Sequence, residues 1–435
     1  MTSTTPTALT KIEKIVCQLF LLALFFVSFS TALTNVFVGL SYLGFIVAVC
    51  TSAPLRAVLA SPRLLLPGLL ALGLLALYVL GTTWTIASPD DIATALRKYS
   101  RLMILPIGIA LAWRDPTLAA RALAACLAGT AVLVVSIYLT SMGLMPSSSL
   151  GWWRVSADRQ DAFVFRNHIT IGFLLGFAAS ACLLRATYAR TTRLRMAAAG
   201  TALTAALPIM FLSQGRTGYV VLLVGLVGVF VLRVRLTAVR VAAGLALLAL
   251  LFGGMYATST NVKMRTDAMV HEIATDEVQS PNGLRVSFIE VGLAVIRQHP
   301  LIGIGTGGFA QAYAPTAQRN WPASHEMATA RHQPHSEFML TAVQLGLLGC
   351  IVYFGMFVAM GRAALGPRTF ERDMLALMLL IYVVTSSFNS LLWDTTEAHW
   401  FLLLSGCLYV GARRAQAVAA TPAVLHDSMR AGARA

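Results

Sequence analysis

The chain of 435 residues is 57% hydrophobic and only 12% charged, with a mean hydropathy of +0.74. A soluble domain has roughly a quarter of its residues charged, so a soluble globular protein is excluded and an all-α polytopic membrane protein is expected. A net charge of +15 would raise nucleic acid as a partner for a soluble protein, but its placement along this chain gives it another origin.

A spanning helix takes about 20 mostly apolar residues. Twelve stretches meet that need, at residues 15–33, 35–51, 64–82, 100–113, 118–141, 168–186, 196–213, 217–232, 238–257, 336–361, 374–392 and 398–412. Lys and Arg collect on the cytoplasmic side of such a chain. With both termini in the cytoplasm, that side receives 20 of the 33 basic residues against five acidic ones, and the outer side is neutral. The excess of +15 is then a topology signal, and nucleic acid has no part in it. The division that follows is helices 1–9 over residues 1–257, an outer loop over 258–335, helices 10–12 over 336–412 and a cytoplasmic tail over 413–435. Lys11 and Lys14 precede the first apolar run, but no small-residue cleavage site follows it, so no cleaved leader is expected. Cys17, Cys50, Cys126, Cys182, Cys350 and Cys407 lie within or at the ends of apolar runs, which argues against a disulfide framework or a thiolate metal site.

From Thr258 to Glu337 runs the one long polar interval, with His271, His299, His325, His332 and His335 of the chain's eight histidines. Two helices are expected in it. One covers 262–278, with Met264, Met269, Val270 and Ile273 at helical spacing, and Ser280-Pro281 breaks off behind it. The other covers 283–298, capped by Asn282 and striped by Leu284, Phe288, Val291 and Val295. Pro300 and the glycines Gly303, Gly305, Gly307 and Gly308 then turn the chain back toward the membrane. Those glycines match the dinucleotide-binding pattern literally, but they follow a helix rather than a strand, so no nucleotide is expected there.

Arg216, in Ser213-Gln214-Gly215-Arg216-Thr217-Gly218, stands at the outer membrane surface with almost no loop around it. A cation there either meets an anion or snorkels to lipid phosphates, and the flanking glycines would let something large approach. Arg285, in the first turn of the second loop helix, could join the N-terminal amides in holding a phosphate, or be an ordinary exposed arginine. His335, fixed behind Pro334 at the mouth of the tenth span, could take a proton from a hydroxyl or could cap the helix. His325, His332 and His335 raise the question of a metal, but no carboxylate or cysteine completes a ligand spacing, so neither metal nor cofactor is expected. The outer side also lacks the closely spaced aspartates of a metal-dependent nucleotide-sugar transferase, offering Asp90-Asp91 and the wider pair Asp158 and Asp161. Arg97, Lys98 and Arg101 before the fourth span, and Arg154 beside Trp152 and Trp153, could bind phosphate or sugar, or could anchor the membrane interface.

At these residues the chain resembles the O-antigen ligase and polymerase superfamily of bacterial inner membranes. The likeness rests on the Arg216 motif, on Arg285 followed by His299-Pro300-Leu301-Ile302-Gly303-Ile304-Gly305-Thr306-Gly307-Gly308-Phe309, and on Pro334-His335-Ser336-Glu337-Phe338, where Ser336 replaces the family's usual asparagine. The resemblance implies a multi-pass inner-membrane glycosyltransferase of about twelve spans, with a large helical periplasmic loop between helices 9 and 10 that forms part of the active site. It implies transfer of a glycan from undecaprenyl pyrophosphate to a hydroxyl, without metal and with inversion. Arg216 and Arg285 would hold the pyrophosphate and His335 would orient or deprotonate the acceptor, with Arg97, Lys98, Arg101, Arg154 and His332 as further binding candidates. The protein-glycosylating relatives usually carry a larger C-terminal region, so a ligase acting on lipid A-core oligosaccharide is expected, with O-antigen polymerase and protein O-oligosaccharyltransferase as alternatives. A transporter or flippase for an anionic lipid would also use arginines, but no repeated halves or broken helices are read here.

Overall fold

The computed structural model describes residues 8–150, 153–158, 161–235, 237–275, 280–320 and 331–432. Inside hydrocarbon every backbone N–H and C=O must be paired within its own segment, and the apolar runs accordingly become helices. α1 (Lys11–Phe26), α2 (Thr31–Thr51), α3 (Ala53–Leu59) and α4 (Pro62–Leu80) are followed by the amphipathic α5 (Pro89–Tyr99), then α6 (Ile104–Arg114) and α7 (Leu118–Ser141). A short antiparallel hairpin, Ser148–Leu150 with Trp153–Val155, precedes α8 (His168–Tyr188), α9 (Thr192–Phe211), α10 (Arg216–Arg233) and α11 (Ala238–Thr258). The polar interval holds α12 (Thr260–Ala274), α13 (Pro281–Gln298) and α14 (Phe309–Asn320), and the chain finishes with α15 (Glu337–Ala364), α16 (Phe370–Ser386) and α17 (Thr395–Gly432).

Among the described residues eight helices are long and apolar enough to cross a membrane: α2, α4, α7, α8, α9, α10, α11 and α15. The expected first, fourth and eleventh spans are occupied by helices of 16, 11 and 17 residues. The expected boundaries shift in two places. The first run ends at Phe26 because the Arg166 guanidinium donates to the carbonyls of Val27 (2.8 Å) and Ser28 (3.3 Å), taking over acceptors that a longer helix would have used. The eleventh ends at Ser386, short of the expected 392, and residues 387–394 form an irregular turn. Among the described residues the polar interval contains three helices rather than two, since α14 follows the glycine turn. Ser280, not Asn282, caps α13: its Oγ accepts from the Gly283 N–H at 3.0 Å.

α8 lies in the interior and α11 buries none of its residues. With apolar side chains on both sides of every interface, close backbone approach decides which helices associate. α8 and α10 meet along small residues. A Cβ on Gly172 would lie 2.6 Å from the Gly218 Cα, and one on Gly225 would lie 1.8 Å from the Ser180 Oγ. At the far end of α10, Arg233 and Arg372 reach the fully buried Asp373 at 3.3 and 2.5 Å, and the Tyr188 hydroxyl donates to it at 2.7 Å. Arg114 and Glu13, paired at 2.9 Å, tie α6 to α1.

The expectation of unbroken helices fails at α15. Gly346 takes φ +60°, ψ −154°, which interrupts the helix. Such a break frees carbonyls that must find donors, and the glycine turn supplies them. The N–H groups of Ile304 and Gly305 donate to the carbonyls of Val343 and Gln344 at 2.9 and 3.0 Å, and those of Leu347 and Leu348 donate back to Pro300 and Leu301. Gln344 Oε1 accepts from the Gly307 N–H at 2.6 Å, and Thr306 donates to the Tyr78 carbonyl at 2.6 Å. The turn is thereby stitched to both α15 and α4.

Candidate functional site

Arg216 is the first residue of α10, Arg285 lies near the start of α13, and His335 sits two residues ahead of α15. Their surroundings bring them together. α12 docks beside the turn before α10: Asn261 donates to the Phe211 carbonyl at 3.1 Å and Arg265 to the Gln214 side chain at 2.5 Å. This places Glu272 against Arg216, with Nη2 to Oε1 at 2.9 Å and Nη1 to Oε2 at 3.5 Å. Arg216 Nη1 also donates to Asn282 Oδ1 at 3.1 Å, so the first turn of α13 is held at the start of α10. Asn282 Nδ2 is buried and has no hydrogen-bond partner among the described residues.

Further along α13, the buried Phe288 packs its ring 4.7 Å from Tyr313 and 6.0 Å from His335. Gly292 opposes Met339, so that even a Cβ would approach its sulfur to 2.4 Å. α13 therefore bridges the starts of two candidate spans, and its arginine lies between them. Burial lowers the Arg285 pKa, the charge of Arg216 lowers it further, and Glu272 acts against both. Burial, reinforced by Arg285 and Arg331, brings His335 down to about 4, which leaves a neutral imidazole at ordinary pH. His335 has φ +53°, an unusual conformation for a residue with a side chain.

Gly215 and Gly218 serve the fold rather than an incoming ligand. A Cβ on Gly215 would lie 2.6 Å from the His168 carbonyl oxygen, and Gly218 faces Gly172. The remaining candidates have other engagements. Lys98 donates to the Trp393 carbonyl at 3.0 Å and lies 4.7 Å over its ring, and Arg101 donates to the same carbonyl and to Thr395. Both contact the 391–395 turn, and burial, with the charge of Arg101, lowers the Lys98 pKa. Arg97 is exposed. His332 pairs with Asp91 at 2.8 Å, and Asp91 also accepts from Ser88 and Gln311 at 2.6 Å each, which ties α5 to α14. Arg154 is exposed on the hairpin, 5.8 Å from the Phe163 ring. Trp152, His325 and the side chain of Trp153 lie outside the described residues. A groove of about 880 Å³, lined by Trp84, Glu290, Gln298, His299 and Arg319 among others, holds none of the three converging residues.

Four side chains that shape the site are not read as site residues from sequence, where Asn282 is expected only as a helix cap. Glu272 and Asn282 complete the surroundings of Arg216. Glu337, fully buried, accepts from the Leu392 and Trp393 N–H groups at 2.9 and 3.2 Å and so fixes the 387–394 turn under the start of α15. Asn389 joins the two spans in that turn, its carbonyl accepting from the Glu337 N–H at 3.2 Å and its amide donating to Thr217 at 3.4 Å.

Residues 201–354 match the family model described as O-antigen ligase. No curated protein matches the chain. The matched segment contains Arg216, Glu272, Arg285, the glycine turn and His335, so the similarity to the O-antigen ligase family falls on the part of the chain that holds the converging residues.

Proposed function

We propose that this protein is a twelve-span inner-membrane O-antigen ligase. It transfers O-antigen glycan from undecaprenyl pyrophosphate to a hydroxyl of lipid A-core oligosaccharide at a periplasmic site formed by α10, the 258–335 segment and the start of α15. The observation that carries the reading is the convergence of Arg216, Arg285 and a neutral His335 at the ends of two candidate spans. Two partly buried guanidinium groups at the membrane surface suit a lipid-borne pyrophosphate. A neutral imidazole beside them suits a hydroxyl about to lose its proton.

In the step that follows, the acceptor oxygen attacks the anomeric carbon from the face opposite the pyrophosphate, so the configuration inverts. The bond from that carbon to the pyrophosphate oxygen breaks, and its electron pair leaves with the phosphate. Arg216 and Arg285 stabilise the growing charge, while His335 takes the hydroxyl proton. Loss of either arginine contact costs about 10² to 10³ in rate, and loss of the base about 10² to 10⁴.

Reconstitution tests this directly. Purified protein in vesicles with lipid-linked glycan and lipid A-core forms the joined product without nucleotide or added metal, and His335→Ala and Arg216→Ala abolish it while remaining folded. Full transfer by folded His335→Ala contradicts the mechanism. Extension of the lipid-linked glycan in place of transfer to lipid A-core identifies a polymerase, and modification of a supplied protein acceptor identifies an oligosaccharyltransferase.

A further inference from the structure

A pair of partly buried arginines at the end of a candidate membrane span faces a competition problem. Phospholipid headgroups, each with a single phosphate, surround such a site in great excess over any lipid pyrophosphate, and an open pair would collect them. Here the pair is not open. Glu272 meets Arg216 through both carboxylate oxygens, at 2.9 and 3.5 Å, with its side chain only 11% exposed. Arg285 lies in the field of both groups.

The carboxylate belongs to the same chain, so it competes at a high and fixed effective concentration. A ligand must therefore replace one charge-assisted pair with another. A single phosphate gains little by the exchange. A pyrophosphate can engage Arg216 and Arg285 together, so the exchange favours it.

We propose that Glu272 determines specificity at this site, its carboxylate standing in for a phosphate against Arg216 and so excluding single-phosphate lipids while yielding to a pyrophosphate. The proposal rests on the reading of Arg216 and Arg285 as a phosphate site, and not on the identity of the acceptor. α12 supplies the competing carboxylate and α13 the second guanidinium, Arg285.

The test uses the full-length protein in detergent, titrated calorimetrically with inorganic phosphate and inorganic pyrophosphate. Wild type prefers pyrophosphate strongly. In Glu272→Gln, phosphate binding gains more than pyrophosphate binding, and the preference falls by about tenfold or more. In nanodiscs, phosphatidylglycerol weakens pyrophosphate binding to Glu272→Gln relative to phosphatidylcholine and leaves wild type unaffected. Glu272→Ala carries the same expectation should the glutamine variant not fold. Asn282→Ala, which removes a neutral contact to Arg216, keeps the wild-type preference against phosphate. An unchanged preference in both Glu272 variants overturns the proposal, as does an equal loss in Asn282→Ala, since Glu272 would then only position Arg216. Neither probe carries a sugar, so a protein that binds both as expected but transfers no glycan refutes the ligase reading alone. A wild type that binds neither refutes the phosphate site itself.

Discussion

His335 carries two unfavourable features at once. Its backbone sits at φ +53°, which costs a residue with a Cβ about 1 to 3 kcal/mol, and its ring is held among cationic neighbours that oppose protonation. A folded-state pKa near 4, below the ordinary 6.5, means that the unfolded chain binds the proton more tightly than the native one. The stability contributed by the neutral ring is therefore complete above pH 6.5 and declines as pH falls toward 4. Catalysis by that ring has the same sign. In reconstituted protein, kcat/KM should stay level through the neutral range and lose half its value only near pH 4, so an acid limb centred at 6.5 would show that the histidine is not held neutral in this way. His335→Gly relieves the backbone strain, and its thermal unfolding midpoint should equal or exceed that of wild type even as transfer is lost.

At the scale of elements, the glycine turn and the break in α15 form one device. Each is unstable alone: the turn has three residues at positive φ, and the broken helix has carbonyls without helical donors. Together they satisfy one another, and the site depends on the result because α13 enters this turn and His335 leads into α15. Gly346→Ala should be costly, since its Cβ would come within 2.4 Å of the Leu301 carbonyl carbon at a φ of +60°. Loss of several kcal/mol is expected, read as a lower unfolding midpoint in detergent, while Gly361→Ala, with open space around it, serves as the neutral comparison. A midpoint unchanged by Gly346→Ala would mean that the break can close into regular helix. Little of this device is legible in the sequence. Leu345-Gly346-Leu347-Leu348 reads as ordinary apolar helix, and a glycine inside such a run carries no sign of its φ. The amphipathic stripe of α13 is legible, because Phe288 must be buried wherever that helix packs. The Arg216–Glu272 pair is not, since it joins residues 56 apart on segments whose relative placement depends on how α12 docks. The 387–394 turn is likewise not legible, because Ser387, Asn389 and Ser390 only interrupt an apolar run and the partner that fixes the turn, Glu337, belongs to another span.

Over the whole molecule, the bundle separates two kinds of charge. One end of α10 begins at Arg216 among the converging residues, and the other ends at Arg233 beside Asp373 and Arg372. α9 runs antiparallel to it: Phe211 lies near the Arg216 turn, and the exposed Arg193 stands at the opposite end near Arg190 and Arg195. A cluster of exposed arginines resists translocation, and on that ground we propose that end as cytoplasmic and the end bearing α12 and α13 as periplasmic. Single cysteines introduced on a background with the six native ones replaced will report this. Glu290→Cys, exposed on α13, should react with a membrane-impermeant maleimide applied to intact spheroplasts, and Arg193→Cys should react only after the membrane is opened. Reaction of both in intact spheroplasts indicates a leaky preparation, which an internal cytoplasmic marker exposes. The reverse pattern would put the arginine pair on the cytoplasmic side, where nucleotide-activated sugars are available and where the case for a lipid pyrophosphate donor loses its basis.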